Sequence, residues 1–252
     1  MLADHADAGG VRAVRAGGGC GPKTIELWKQ EISVISYKDI RKNDEINALI
    51  EKGNDVLYEL GYTEHSRKHA ARVAQRAGQI LEKLEYDKHT AELARIAGYM
   101  HDIGNCVNRN DHAHSGAILA YQTLKDLKTP MDDILTIVTA IGHHDEATGT
   151  AVDAVSAALI LADKTDVRRN RVQNRTPSNF DIHDRVNYAA LKSVLELKEE
   201  KKVLQMNLEL DDTICTVLDY FEIFLQRMLM CRRAAEVLGC RFKLVANGNK
   251  LC

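Results

Sequence analysis

His101 and Asp102 stand side by side where an apolar helical pattern, AELARIAGYMHDIGN, stops at Gly104. Neutral imidazole and carboxylate together are what a catalytic divalent metal needs. More candidates flank the pair: His65 and His69 upstream, and His112, His114, His143, His144 and Asp163 downstream. Eight of the ten histidines fall between residues 65 and 144, so the potential ligands are concentrated in one region. A metal held there would lower the pKa of its bound water toward neutrality, supply hydroxide and neutralise an anionic substrate.

Spacing shows how such residues could meet. His65 and His69 are four apart in a predicted helix, so both point from one face. His101-Asp102 and His143-His144 end helices, where exposed carbonyls favour a nearby cation. Asp163 lies inside an apolar helix, and a buried, unpaired carboxylate costs several kcal/mol, so it needs a cation or hydrogen-bond donors. One helix cannot gather these groups, but several antiparallel helices can project them into a shared centre. A second HD pair, His183-Asp184, lacks ligand-like companions and reads as a turn or cap.

The elements that would position these side chains are helical. Residues 39–60 place Ile46, Leu49, Ile50, Val56, Leu57 and Leu60 at helical spacing, and Gly61 is the stop. A second helix is predicted from Thr63 or Glu64 to about Leu84, a third from Lys88 to His101, and a fourth from His112 to Leu127. Pro130 starts a fifth, with two acids in its first turn. A sixth, AVSAALILADKTDVRR, is apolar up to Asp163 and so predicted central. No strand signal appears between residues 39 and 170. After Pro177 the pattern changes. SVLEL and KVLQMNLEL alternate around a charged KEEK turn and predict a hairpin. A long helix to Gly239 and a strand, RFKLVAN, follow. The expected fold is mainly α: a helical bundle over about residues 39–176 with a small C-terminal α+β layer. The expected organisation is a disordered extension over 1–22, a helical domain over 23–176, and an α+β subdomain over 177–252 packed on it.

Composition narrows the function classes. A chain of 252 residues buries a real core without disulfides. A net charge of −2 gives no global case for nucleic acid or an anionic membrane as partner. The six cysteines form no C-x-x-C pair and read as reduced thiols of a cytoplasmic protein. No apolar run approaches the ~20 residues that span a bilayer. The Gly/Ala/Arg-rich start has no apolar core of a secretory signal. The apolar C-terminal helix can pack on its own sheet or on a second subunit, which would make a homodimer.

The order H…HD…H…H…D over about residues 60–170 resembles the HD-domain superfamily of metal-dependent phosphohydrolases. AGYMHDIGN resembles its helix-ending HD motif, and DHAHSGAILAYQTL the H-x-x-x-G-A segment of its dinuclear members. AIGHHDE is similar to its A-I-x-x-H segment, and ALILADKTD to its closing A-D-K-x-D segment. The tail, including FDIHDRVNYA, is similar to an archaeal and bacterial subgroup of HD hydrolases. The resemblance implies His69, His101, Asp102, His112, His144 and Asp163 as metal ligands, with Asp102 bridging if two ions bind. It favours His69 over His65 as first ligand, because Val73 follows His69 by four. It favours His112 over His114, and His144 over His143. His65 would donate a proton to the leaving oxygen, extend the second metal site or orient its neighbours. Lys164, with Arg168 or Arg169 from the basic run that continues to Arg171 and Arg175, would face substrate phosphate. At the position where many members of the superfamily carry a phosphate-facing Lys, this chain has Asn105, which can hydrogen-bond a phosphate but brings no charge.

The implied function is a phosphomonoesterase or phosphodiesterase that hydrolyses a small phosphorylated molecule, a nucleotide being the expected class. It would use a metal-activated hydroxide and one or two divalent ions, with Mn, Fe, Co, Ni, Mg and Zn equally open. Two other readings fit the same residues. One is an HD-type diiron oxygenase, since the ligand set suits iron. The other is a non-catalytic module in which metal holds the bundle while the C-terminal layer binds a ligand.

Overall fold

Local capping sets the helix boundaries in the computed structural model, which describes residues 35–173 and 182–251. The predicted extension at 1–22 and Arg175 lie outside the described residues. The helix expected over 39–60 is two: α1 (Tyr37–Lys42) and α2 (Asp44–Glu59). Asn43 divides them. Its backbone is extended, and its side chain accepts from Ile46 N at 3.0 Å, so it ends one helix and caps the next. α3 (Arg67–Lys83) begins three or four residues later than expected, because the Ser66 side chain accepts from Lys68 N at 3.1 Å and acts as the cap. His65 therefore precedes the helix, and His65 and His69 do not share one helical face.

α4 (Lys88–Met100) ends at His101, with Asp102 next, and a short 3-10 turn, Ile103–Cys106, follows. α5 (His112–Asp126) and α6 (Met131–Gly142) complete a layer beside α4. α7 (Ala154–Lys164) is the central helix, buried from Val155 through Ala162, and packs against α3, α4 and α6. It stops five residues short of expectation. The hydroxyl of Thr165 donates back to Leu161 O at 2.6 Å, and the chain then leaves the helical path.

Close helix packing here depends on small residues. A methyl group placed on Gly104 would lie 2.0 Å from the His112 carbonyl oxygen and 2.5 Å from Gly116 N. Both are backbone atoms, so α5 would have to move away from the 3-10 turn. Gly104→Ala is expected to destabilise the protein by about 1–3 kcal/mol or more. Urea unfolding checks this, and unchanged stability would show that the contact tolerates a methyl.

After the turn Arg169–Arg171 the chain builds a second layer: α8 (Ile182–Ala189), β1 (Ala190–Lys198), β2 (Val203–Leu210), α9 (Val217–Val237), β3 (Arg241–Ala246) and β4 (Asn249–Lys250). The fold is mainly α, with the small α+β layer that the alternating segments predicted. β1 and β2 form the expected antiparallel hairpin, with Val194 opposite Asn207. Lys202 closes its turn in the left-handed region, at φ 47°, without the usual Gly or Asn. β3 joins β2 in parallel, with α9 as the crossover, and β4 pairs antiparallel to β3. Leu204, Met206 and Leu208 are buried, while Gln205 and Asn207 between them are half-buried, which is the two-residue period of a one-sided sheet. α9 packs against both β3 and α7 and so joins the two layers. The second HD pair is no turn: His183 and Asp184 lie in the first turn of α8. Among the described residues no helix is long and apolar enough to cross a membrane.

Candidate metal centre

Five histidines converge on Asp102 from four helices and one loop. His69 comes from α3, His101 from the end of α4, His112 from the first residue of α5 and His144 from just beyond α6. His65 comes from the loop before α3. All five rings are held alike. Nδ1 lies 2.6 Å from Thr63 O in His65, 2.9 Å from Asp166 Oδ2 in His69 and 2.9 Å from Gly98 O in His101. In His112 it lies 3.0 Å from Arg109 O, and in His144 2.7 Å from Ile141 O. These oxygens only accept, so each Nδ1 carries the ring proton and each Nε2 offers a lone pair inward.

The carboxylates stand among those lone pairs. Asp102 Oδ2 is 2.9 Å from His101 Nε2, 3.7 Å from His69 Nε2 and 4.0 Å from His65 Nε2. Its other oxygen, Oδ1, is 3.5 Å from His112 Nε2 and 3.8 Å from His144 Nε2. Asp163 Oδ1 is 3.3 Å from His69 Nε2 and 3.7 Å from His101 Nε2. Each oxygen of Asp102 thus faces its own set of nitrogens. Two groups of side chains could each hold a metal: His69, His101 and Asp163, and His101, Asp102 and His144.

The donor set fits a divalent cation. The Nε2 atoms of His69 and His101 are buried without a hydrogen-bond partner. Those of His112 and His144 face each other at 3.2 Å. Two lone pairs at that distance repel unless a cation lies between them. Burial alone would raise both carboxyl pKa values. The imidazole of His101 beside Asp102, and the ammonium of Lys164 beside Asp163, hold both groups well below the usual carboxylate range, so both are anionic. Burial pushes His65 well below the usual histidine value against the opposing charge of Asp102, and Arg171 adds to the effect. His65 presents Nε2 toward Asp102 Oδ2, with Nδ1 held by Thr63 O.

Several predicted substrate contacts lie elsewhere. Asn105 is 1% exposed, and its amide donates to Asp102 Oδ1 at 2.9 Å and Asp102 O at 3.0 Å. It positions the carboxylate and is not free for phosphate. Arg168 holds Asp166, from Nε at 2.9 Å and Nη2 at 3.0 Å. Arg169 donates to Tyr188 O and stacks on the Tyr188 ring. Neither lines the cavity at the metal centre, because α7 ends before them and the following turn carries them away. Lys164 does line the cavity, with its ammonium 2.9 Å from Asp163 Oδ2 and 2.7 Å from Glu146 Oε2. His114 is exposed beside Asp111, and His143 caps α6.

That cavity, of about 170 Å³, has a wall that sequence reasoning largely missed. Arg109, Glu146, Arg171 and Arg227 line it, with His183 and Asn187 from α8. Glu146 is shared by Lys164 and by Arg227, whose Nε lies 2.8 Å away. Arg227 stacks on Phe224, and Phe224 on His183, so the second layer closes over the centre. One signal was present: Arg227 is a charge inside the apolar stretch YFEIFLQRMLM.

The chain is similar to known proteins. The family model described as the HD domain matches residues 67–222. An uncharacterized protein of Methanocaldococcus jannaschii is 27% identical over 211 residues, which cover 73% of this chain and 79% of that protein. Ribonuclease Y of Helicobacter pylori (strain J99) is 31% identical over 159 residues, which cover 62% of this chain but 27% of the ribonuclease. A solved structure described as a predicted HD superfamily hydrolase from an uncultured Thermotogales bacterium aligns with a TM-score of 0.39 at 25% identity, over 49% of this chain and 67% of that one.

Proposed function

This chain belongs to the HD domain family, and from that premise we propose that it is a metal-dependent hydrolase of phosphate esters acting on a small phosphorylated molecule. The observation that carries the reading is the pairing of two things in one cavity. Asp102 and five inward Nε2 atoms form a cation-ready floor, and arginines line the wall above it. An anionic substrate is what both would hold.

His69, His101, Asp102, His112, His144 and Asp163 would hold one or two divalent ions. Bound there, metal supplies Lewis acidity toward a phosphoryl oxygen and acidifies water. The chain's own residues do the rest. Asp166 and the carbonyls of Gly98, Arg109 and Ile141 fix the tautomer and aim of the four ligand rings. Asn105 fixes the Asp102 carboxylate. His65, held through Nδ1 by Thr63 O, presents Nε2 at the cavity. Arg109 and Arg171 bring the charge that Asn105 lacks.

The test is turnover by the purified full chain with Mn²⁺, Co²⁺, Ni²⁺, Mg²⁺ or Fe²⁺. Substrates are aryl phosphates, a nucleotide panel and short RNA, the last because of the similarity to Ribonuclease Y. Small esters are expected to be cleaved with at least one metal, and chelation to abolish cleavage. Inactivity across every metal and substrate would sink the proposal. Oxygen-dependent turnover with a mixed-valent iron signal would instead favour the oxygenase reading.

A further inference from the structure

We propose that Arg109 and Arg171 form a second anion subsite in the cavity, so that the substrate carries another phosphate besides the one that reacts. The inference rests on the hydrolase reading above and names its substrate class.

Four cationic side chains line the cavity, and two of them have partners. Lys164 is bound to Asp163 and Glu146, and Arg227 to Glu146. The other two have no ion-pair partner among the described residues. Arg171 is 4% exposed, and its Nε and Nη1 donate to the main-chain oxygens of Glu64 and Asp166, each at 3.0 Å. Among the described residues no carboxylate lies within ion-pair distance of it. The Asp166 carboxylate nearby is committed to His69 and Arg168. Arg109 is half-buried. Its Nη1 lies 3.3 Å from Asn105 Oδ1 and 3.4 Å from His112 Nε2, and its guanidinium sits over the Tyr62 ring at 5.6 Å. It too has no acidic partner among the described residues.

The charges of Asp166, Asp163 and Asp102 act on Arg171 through space, but among the described residues no carboxylate pairs with it directly, and a buried guanidinium without such a partner is costly. A planar guanidinium is also the side chain best shaped for phosphate oxygens. Charge balance then asks for more than one phosphate. The lining carries four positive charges, on Arg109, Lys164, Arg171 and Arg227, against three negative ones, on Asp102, Glu146 and Asp163. Each divalent ion would add two more, so with one ion or with two a single phosphate dianion leaves the cavity positive. Arg109 and Arg171 are the two guanidiniums of the lining outside any ion pair among the described residues, and a second phosphate matches them. It could belong to a phosphoanhydride chain or be carried at a separate position on a sugar.

Calorimetry on the full chain saturated with Mn²⁺ tests this without relying on turnover. The probes resist hydrolysis: methylphosphonate against methylenediphosphonate, which mimics a phosphoanhydride, and against propane-1,3-diphosphonate, whose two groups stand apart as on a sugar. Two-phosphonate probes are expected to bind on the order of 10–100-fold more tightly than methylphosphonate, the scale of one charge-assisted contact. Whichever of the two gains more identifies the source. In Arg109→Gln and in Arg171→Gln the advantage is expected to shrink by about tenfold. If Arg171→Gln fails to fold, as read by circular dichroism, the half-buried Arg109 variant decides alone. Equal binding of one- and two-phosphonate probes overturns the subsite, and so does an advantage that survives in the folded variants. Because none of the probes can be turned over, absent hydrolysis of phosphate esters with the advantage intact overturns only the hydrolase reading.

Discussion

Asp102→Asn is expected to lower turnover by at least about a thousandfold, the scale for losing one member of a group that acts as a unit. Its two oxygens face different nitrogen sets: Oδ2 toward His101, His69 and His65, and Oδ1 toward His112 and His144. No other described side chain reaches both. A neutral amide keeps the volume but loses the charge, and its NH₂ would point donors where metal is expected. Metal content should therefore fall together with activity. Metal analysis of anaerobically purified protein, wild type beside variant, reads this directly, with a melting curve to show that the variant folds. The wild-type stoichiometry separates one ion from two, and its iron content weighs hydrolase against oxygenase. A variant with full metal and full activity would remove Asp102 from the centre of the mechanism.

Asp166→Ala is expected to cost about 3–5 kcal/mol of stability, the range for breaking a buried charged pair by removing one partner. Asp166 is 2% exposed, and its carboxylate accepts from His69 Nδ1 at 2.9 Å and from Arg168 at 2.9 and 3.0 Å. Without it the His69 N–H and the Arg168 guanidinium lose their acceptor together. Burial alone would raise the Asp166 pKa, but the hydrogen bond from His69 and the charge of Arg171 hold it well below the usual carboxylate range. A depressed folded-state pKa means that this stabilisation is complete above the unfolded value of about 4 and is lost as the pH falls through the folded one. Wild type should thus lose stability in acid, and Asp166→Ala should lose less over the same range. The substitution also frees the His69 ring to rotate, so metal affinity should fall about 10–100-fold. Denaturant titrations at neutral and acid pH, with metal titration beside them, check both effects. Unaltered metal affinity would show that His69 is held by packing alone.

How far the sequence could be read depended on the range of the interaction concerned. Apolar periodicity located α4, α5 and α6 closely, because burying a stripe at helical spacing is a property of the segment itself. The misplaced starts and stops turn on a single side chain: Asn43 and Ser66 as caps, and the Thr165 hydroxyl bonding back to Leu161. The eight residues of α8 and the two of β4 were too short to leave a period. At the site, motif spacing brought out the residues that now surround Asp102. It could not show His65 leaving the helix, since one cap decides that. The basic run after Asp163 revealed charge but not direction, so Arg168 and Arg169 looked like phosphate contacts while Arg109 passed unnoticed. Glu146 and Arg227 meet across 81 positions, a separation that no local pattern encodes.

The bonded series Asp163, Lys164, Glu146 and Arg227 also bears on how such a chain can be recombined. Its first two members belong to the central helix, the third to the turn after α6, and the last to the crossover helix of the sheet. The C-terminal layer is therefore no interchangeable accessory. A chimaera that borrows that layer from a relative inherits working metal chemistry only if the graft returns a cation to the place of Arg227. Without one, Glu146 keeps Lys164 as its sole partner, and the defect appears beside Asp163, far from the seam where the two sequences were joined.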